Sequence, residues 1–185
     1  MKIYMIRHAQ TPGNQEYRYI GCRTDESISE QGAALLKKMH LPQVSHVYIS
    51  PMKRCIQSAE ILYPGIKQQI VPDFRECDFG SFEGKNYIEL NGDSDYQAWI
   101  DSGGELPFPK GESRKEFAER TVNAFEALNL FESDTDCALV VHGGTIMAIM
   151  EVYVKPRGTY FDFQPKCGEG YILYNNGSYE QIKAN

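Results

Sequence analysis

Three apolar, strand-length runs, at residues 2–6, 46–49 and 138–141, each end in side chains that could do chemistry. After the first stand Arg7-His8, after the second Ser50-Pro51-Met52-Lys53-Arg54, and after the third His142-Gly143-Gly144. Guanidinium forks make bidentate, charge-assisted bonds to phosphate oxygens, which suits Arg7 and Arg54. An imidazole with an ordinary pKa of about 6.5 is a competent nucleophile near neutral pH. One ring nitrogen can attack if the other keeps its proton, for instance against a backbone carbonyl. His8 is the candidate for that role. His142 would then lie against the equatorial oxygens and stabilise charge as it spreads in the transition state. Breaking an unactivated phosphate ester also needs an acid for the leaving oxygen. The segment Arg75 to Gly84 holds Glu76, Asp78 and Glu83 among aromatic residues that could desolvate one carboxyl and raise its pKa. Spacing does not choose among the three.

The elements that must position these groups alternate between strand and helix patterns, which predicts an α/β layered fold. A fourth apolar run covers residues 171–174. Ser29 can cap a helix to about Met39, and Ser50-Pro51 reads as a helix start with proline at the first helical position, stopped by Pro64-Gly65. Ser113-Arg114-Lys115-Glu116 is a capping-box pattern, followed at helical spacing by Phe117, Thr121, Ala124 and Leu128. A last helix begins after Gly143-Gly144. Residues 72–112 read as a long functional loop. In an open α/β sheet the carboxyl ends of parallel strands share one edge, where ligands bind, and the following helix starts offer free N–H groups to an anion. Neighbouring strands would thus bring two arginines and two histidines into one pocket. His40, near a helix end, and His46, opening a strand, read as structural.

The bulk numbers narrow the possible partners. A chain of 185 residues fits a single domain over 1–185. Its net charge is -6, and no run of Lys or Arg exceeds two residues, so nucleic acid is not an expected partner. Any anionic substrate must be held by a few local cations against an unhelpful overall field. The five cysteines are irregularly spaced with no C-x-x-C pair, which predicts reduced thiols rather than disulfides or a zinc site. No H-E-x-x-H or comparable cluster occurs, so neither metal nor other cofactor is expected. The start of the chain is too short for a signal-peptide core and no stretch is long enough to span a bilayer. The expectation is a cytoplasmic enzyme with no membrane partner.

These motifs resemble those of the histidine phosphatase superfamily, the phosphoglycerate mutase-like proteins. Arg7-His8-x-x-Thr11-x-x-Asn14 is similar to its N-terminal signature, and Gly21-Cys22-Arg23-Thr24-Asp25 leading to Ser29-x-x-Gly32 to the next segment. Ser50-Pro51-Met52-Lys53-Arg54-x-x-Gln57-Ser58-Ala59, Glu76-x-x-Phe79-Gly80-x-Phe82-Glu83-Gly84 and Val141-His142-Gly143-Gly144 resemble the remaining three. The resemblance implies a three-layer α/β/α fold with a mostly parallel central sheet. It implies His8 as the phosphorylated nucleophile, Glu76 as general acid, and Arg7, Arg54 and His142 as the phosphate pocket. Asn14, Thr11, Gly143 and Gly21 would be further phosphate contacts. Ala9 and Gln10 stand where the family commonly has Gly and Glu. The short stretch between Glu76 and His142 favours a phosphatase acting on a small phosphomonoester over the mutase branch. The acid loop, Trp99 and Pro109 to Ser113 resemble the α-ribazole phosphatase branch of cobalamin synthesis most. The alternatives are a phosphoglycerate mutase, a broad-specificity sugar-phosphate phosphatase and, least favoured, a non-catalytic module that binds phosphorylated ligands. Phe79, Phe82, Tyr87 and Trp99 are candidates to stack on an aromatic leaving group, with core packing the commoner fate of such residues.

Overall fold

A computed structural model describes residues 1–184. One six-stranded sheet organises them: β1 (Lys2–Arg7), β2 (His46–Ile49), β3 (Gln68–Ile70), β4 (Cys137–Val141), β5 (Gly170–Tyr174) and β6 (Tyr179–Ile182). Their spatial order is β3-β2-β4-β1-β5-β6. β1 to β4 run parallel, while β5 and β6 are antiparallel additions at one side. The helices are α1 (Pro12–Gln15), α2 (Glu30–Leu36), α3 (Lys53–Leu62), α4 (Ser94–Asp101), α5 (Arg114–Ala127) and α6 (Gly143–Tyr153).

Side chains of successive strand residues alternate between the two faces of a sheet. In β1, Ile3 and Met5 join one core with Leu139, Val141, Phe125 and Ile146, under α5 and α6. Tyr4 and Ile6 join a second core with Ala138, Val140, Ala59 and Tyr63, under α3. Burial on both faces is why β1 and β4 read as unbroken apolar runs. It also makes the fold three-layered, α/β/α, with a mostly parallel central sheet.

Four boundaries differ from the sequence expectation. α3 starts at Lys53 with Met52 as its N-cap, so Pro51 precedes the helix instead of opening it. The hydroxyl of Ser50 accepts from the Met52 N–H and is turned toward His142. α6 begins at Gly143 itself, with His142 as N-cap. α2 ends at Leu36, short of Met39. Residues 72–112 are not one loop: they contain α4, capped by the Asp93 carboxylate, and 3-10 turns at Pro72–Phe74 and Gly80–Phe82. An aromatic cluster of Phe82, Phe108, Phe117, Tyr19, Phe79, Tyr96 and Trp99 packs this region over the strand ends. Among the described residues no helix is long and apolar enough to cross a membrane.

Candidate active site

The register of the parallel strands fixes the site. Arg7 pairs with Val141, and Ile49 with Val140. The next residues out, His8, Ser50 and His142, therefore emerge side by side. The His8 N–H donates to Val141 O at 2.9 Å and the Ser50 N–H to Val140 O at 3.3 Å. The His8 and His142 rings lie 5.2 Å apart, nearly edge to face. His8 Nδ1 lies 2.7 Å from the carbonyl oxygen of Ala9. A carbonyl can only accept, so Nδ1 carries the proton and Nε2 keeps its lone pair. Burial, then the charges of Arg54 and Arg7, hold His8 well below its ordinary pKa, opposed only by the Ala9 bond. His142 is also fully buried and held well below the ordinary value, by burial first and then by Arg54, His8 and Arg7. Both rings are neutral near pH 7.

The arginines are fixed from behind. Arg54, with no exposed surface, donates Nη1 to Thr24 O at 2.9 Å and Nη2 to Gly21 O at 3.1 Å. Arg7 donates Nη1 to Pro165 O at 2.9 Å. In both residues Nε is buried with no acceptor among the described residues. Buried donors without partners are rare, and two guanidinium edges converging on a neutral imidazole form a place for an anion.

The three carboxylates of the acid loop separate cleanly. Asp78 pairs with Arg23 at 2.7 Å and accepts from the Gly80 N–H. Glu83 accepts from the Gly21 N–H at 2.9 Å. Glu76 alone of the three lines the cavity at the strand ends, with Oε2 3.7 Å from His142 Nδ1. Burial raises its pKa, against the Cys77 N–H and the charges of Arg54, Arg7 and Arg120. With His142 neutral, that approach is not an ion pair.

The other predicted contacts sit at different depths. Thr11 is fully buried and shares a capping box with Asn14, so its hydroxyl is engaged by the Asn14 N–H. Asn14 borders a second cavity beside Arg7, on the side of Gln10 and Cys167. The N–H of Gly21 is taken by Glu83 and its carbonyl by Arg54, so it braces the arginine from behind. A Cβ there would lie 2.3 Å from Cys77 O, which admits only glycine. Gly143 opens α6 next to the Arg7 side chain.

Two contributors carry no local sequence signal. The Ser50 hydroxyl sits 2.7 Å from His142 Nε2. Arg120 grips the loop behind Glu76, donating to the carbonyls of Asp73, Arg75 and Glu76 and to both oxygens of Glu112. Either shows only once the chain is folded.

The cavity measures about 460 Å³ and leads from Arg7, Glu76 and Gly143 out between Phe79, Trp99, Phe108, Phe117, Tyr160 and Phe161. Of the four candidate stacking residues, Phe79 and Trp99 line it, Phe82 is core, and Tyr87 is exposed elsewhere. Trp99 lies face-on to Phe108 and Tyr96, with centroids 5.0 and 6.4 Å away, which leaves an edge for the cavity. The remaining cation, Arg114, lies over the Tyr160 and Phe161 rings and is ion-paired with Glu105. Among the described residues no cluster of three or more His, Cys, Asp or Glu could hold a metal ion.

The chain is 23% identical over 177 residues to an adenosylcobalamin/alpha-ribazole phosphatase of Salmonella typhimurium, covering 91% of this chain and 87% of that one. It is 24% identical over 160 residues to phosphoglycerate mutase-like protein 4 of Arabidopsis thaliana, covering 81% and 70%. The alpha-ribazole phosphatase structure from Shigella flexneri superposes with a TM-score of 0.86 at 18% identity, over 100% of this chain and 96% of that one, which establishes a shared fold. A family model described as histidine phosphatase superfamily (branch 1) matches residues 3–178. With nearly its whole length matched, the chain belongs to the histidine phosphatase superfamily and is an enzyme of the phosphatase type.

Proposed function

We propose that this protein is a cytoplasmic, single-domain phosphomonoesterase that works through a phosphohistidine, with α-ribazole phosphate as its leading candidate substrate. One observation carries the reading: a neutral, buried His8 whose Nε2 bonds to no described residue stands with Arg54 and His142 at the strand ends, beside a cavity lined by Arg7 and by Glu76, whose carboxyl pKa burial raises. In the first step Nε2 attacks phosphorus in line. The bond from phosphorus to the leaving oxygen breaks, and Glu76 gives that oxygen its proton. Arg7, Arg54 and His142 hold the equatorial oxygens as charge redistributes. In the second step the Glu76 carboxylate takes a proton from water. The hydroxide oxygen bonds to phosphorus, the P–N bond breaks, and phosphate leaves with His8 neutral again.

The choice of leaving group rests on the cavity walls. They are aromatic, and Arg114 is already occupied by Glu105. That suits an aromatic alcohol better than the second anionic group of a phosphoglycerate. It also fits the name of the Salmonella relative. The five free thiols support a reducing compartment.

The test is to incubate the protein with a phosphomonoester and quench in alkali, where phosphohistidine survives. Wild type is expected to trap label on His8 and His8→Ala to be both unlabelled and inactive. Turnover that continues in His8→Ala overturns the mechanism. Assaying a panel that contains α-ribazole phosphate, sugar phosphates and 3-phosphoglycerate, for free phosphate and for mutase product, decides the substrate. Faster turnover of 3-phosphoglycerate, with transfer instead of release, would replace the phosphatase reading by a mutase.

A further inference from the structure

Ser50 is the last residue before the α3 turn and is fully buried. Its backbone N–H is bound by Val140 O, and its side-chain oxygen accepts from the Met52 N–H at 3.3 Å. That alone would make it a turn residue. The second contact of the same oxygen is different in kind: it lies 2.7 Å from Nε2 of His142, across 92 residues of sequence. A hydroxyl has one proton to give. The oxygen already accepts from Met52, so a donation from Nε2 as well would leave the hydroxyl proton only the sulfur of Cys55, a weak acceptor that lies 3.6 Å from Nε2 and 3.9 Å from Nδ1. Both groups are better satisfied with the Ser50 proton directed at a bare Nε2. Because His142 is neutral, its single ring proton is then on Nδ1.

We propose that Ser50 is a positioning residue that locks His142 in its Nδ1–H tautomer, so that the ring offers a neutral hydrogen-bond donor to the reacting phosphoryl group. The proposal builds on the phosphomonoesterase reading above. Nδ1 is the nitrogen nearer Glu76, 3.7 Å from Oε2 and beyond hydrogen-bond length. Its proton is thus left for a phosphate oxygen held between Arg7, Arg54 and the two rings. The two histidines end up with the same tautomer, fixed by different means, and with opposite tasks. The carbonyl of Ala9 accepts from Nδ1 of His8 and exposes a lone pair, whereas the hydroxyl of Ser50 donates to Nε2 of His142 and leaves a proton to offer. In the other tautomer, His142 would turn a lone pair toward an anion and repel it.

The test reads the tautomer directly, from the two-bond nitrogen-to-carbon-proton correlations of 15N-labelled imidazole in wild type, Ser50→Ala and Ser50→Thr. Wild type is expected to show His142 protonated at Nδ1 and bare at Nε2. Ser50→Ala is expected to show a mixed or inverted pattern, with kcat lower by about 10- to 100-fold, as for other residues that orient an imidazole from behind, and KM nearly unchanged. Ser50→Thr keeps the hydroxyl and is expected to restore both. A wild-type ring protonated at Nε2 overturns the proposal without reference to any variant, so a poorly folded Ser50→Ala does not shield it. Full kcat in a folded Ser50→Ala overturns it as well. The nitrogen spectrum does not depend on turnover. If no phosphomonoester is hydrolysed, the phosphatase reading fails while the tautomer is still decided.

Discussion

Replacing Arg120 by methionine keeps an apolar stem and removes five charge-assisted contacts at once. Its guanidinium donates to Asp73 O at 2.8 Å, Arg75 O at 2.9 Å and Glu76 O at 3.0 Å, and to the two Glu112 oxygens at 2.6 and 2.8 Å. The Arg120 and Glu112 side chains are only 13% and 18% exposed, so the discount for a surface ion pair does not apply. Removing Arg120 leaves this largely buried carboxylate with only the Asp78 N–H at 2.9 Å and Arg75 at 3.7 Å, a cost at the low end of about 3–5 kcal/mol. For a chain of this size that corresponds to a melting temperature lower by about 6–20 °C. The double variant Arg120→Met/Glu112→Gln no longer strands a charge and is expected to melt above Arg120→Met alone. Activity should respond in a direction of its own. Arg120 is one of the charges that pull the Glu76 pKa down against burial, so its loss moves the alkaline limb of kcat/KM to higher pH. Stability has a sign too. Burial disfavours the Glu112 carboxylate, but Arg120, the Asp78 N–H and Arg75 together outweigh it and hold the pKa below the ordinary value. That contribution is present above the unfolded carboxyl pKa and is lost as pH falls through the lower folded value, so this loss should be smaller in Arg120→Met. Calorimetry and a pH–rate profile read all of this. A melting temperature within about 3 °C of wild type, or a limb that stays put or moves down, refutes the reasoning.

The first chemical step needs His8 neutral and Glu76 protonated. The acid limb of kcat/KM is therefore expected below the ordinary imidazole pKa and the alkaline limb above the ordinary carboxyl range, with Glu76→Gln losing only the alkaline limb. An acid limb at or above the ordinary imidazole value would sink the assignment of His8. At the start of α6 the two glycines should behave differently. A Cβ on Gly144 would lie 2.8 Å from Phe117 Cε1 and 3.1 Å from Glu76 Oε1, whereas one on Gly143 would meet Arg7 at an ordinary 3.6 Å. Gly144→Ala is expected to cost about 1–3 kcal/mol and Gly143→Ala much less, by thermal melts, and the reverse order would contradict the packing described.

The strand-end histidines and arginines were legible because β1 and β4 are buried on both faces, which writes an unbroken apolar run with an abrupt polar end. α4 was illegible for the opposite reason: none of its residues is buried, so it shows no apolar stripe. β3 and β6 are edge strands of three and four residues with mostly exposed side chains, too short and polar to stand out. Within the acid loop, pattern left three carboxylates equal. What distinguishes them is which way the backbone turns, and that is set by Arg120 collecting the carbonyls of Asp73, Arg75 and Glu76 from a helix far along the chain. Ser50 looked like a helix-start residue because its one local contact, with Met52, is of that kind. Its contact with His142 exists only through the pairing of β2 with β4.

A single physical cause prepares both ends of the proposed reaction. Burial disfavours charge, so it lowers the pKa of His8 and raises that of Glu76. Each shift favours the uncharged form, and those are the forms a nucleophile and a general acid require. Arg7 and Arg54 reinforce the first shift and resist the second, so the arginines alone would give the right histidine and the wrong carboxyl. A bound phosphate dianion changes that balance: it neutralises the arginines and repels the Glu76 carboxylate, which keeps the carboxyl protonated until its proton is needed. It also weakens the electrostatic depression of His8, and there the Ala9 carbonyl matters, because it keeps the one ring proton on Nδ1 and the lone pair on Nε2. In a chain of net charge -6 such an anion is drawn in only by the pocket itself, so substrate binding rests on Arg7 and Arg54, while burial, adjusted by those two charges, tunes the two proposed catalytic groups.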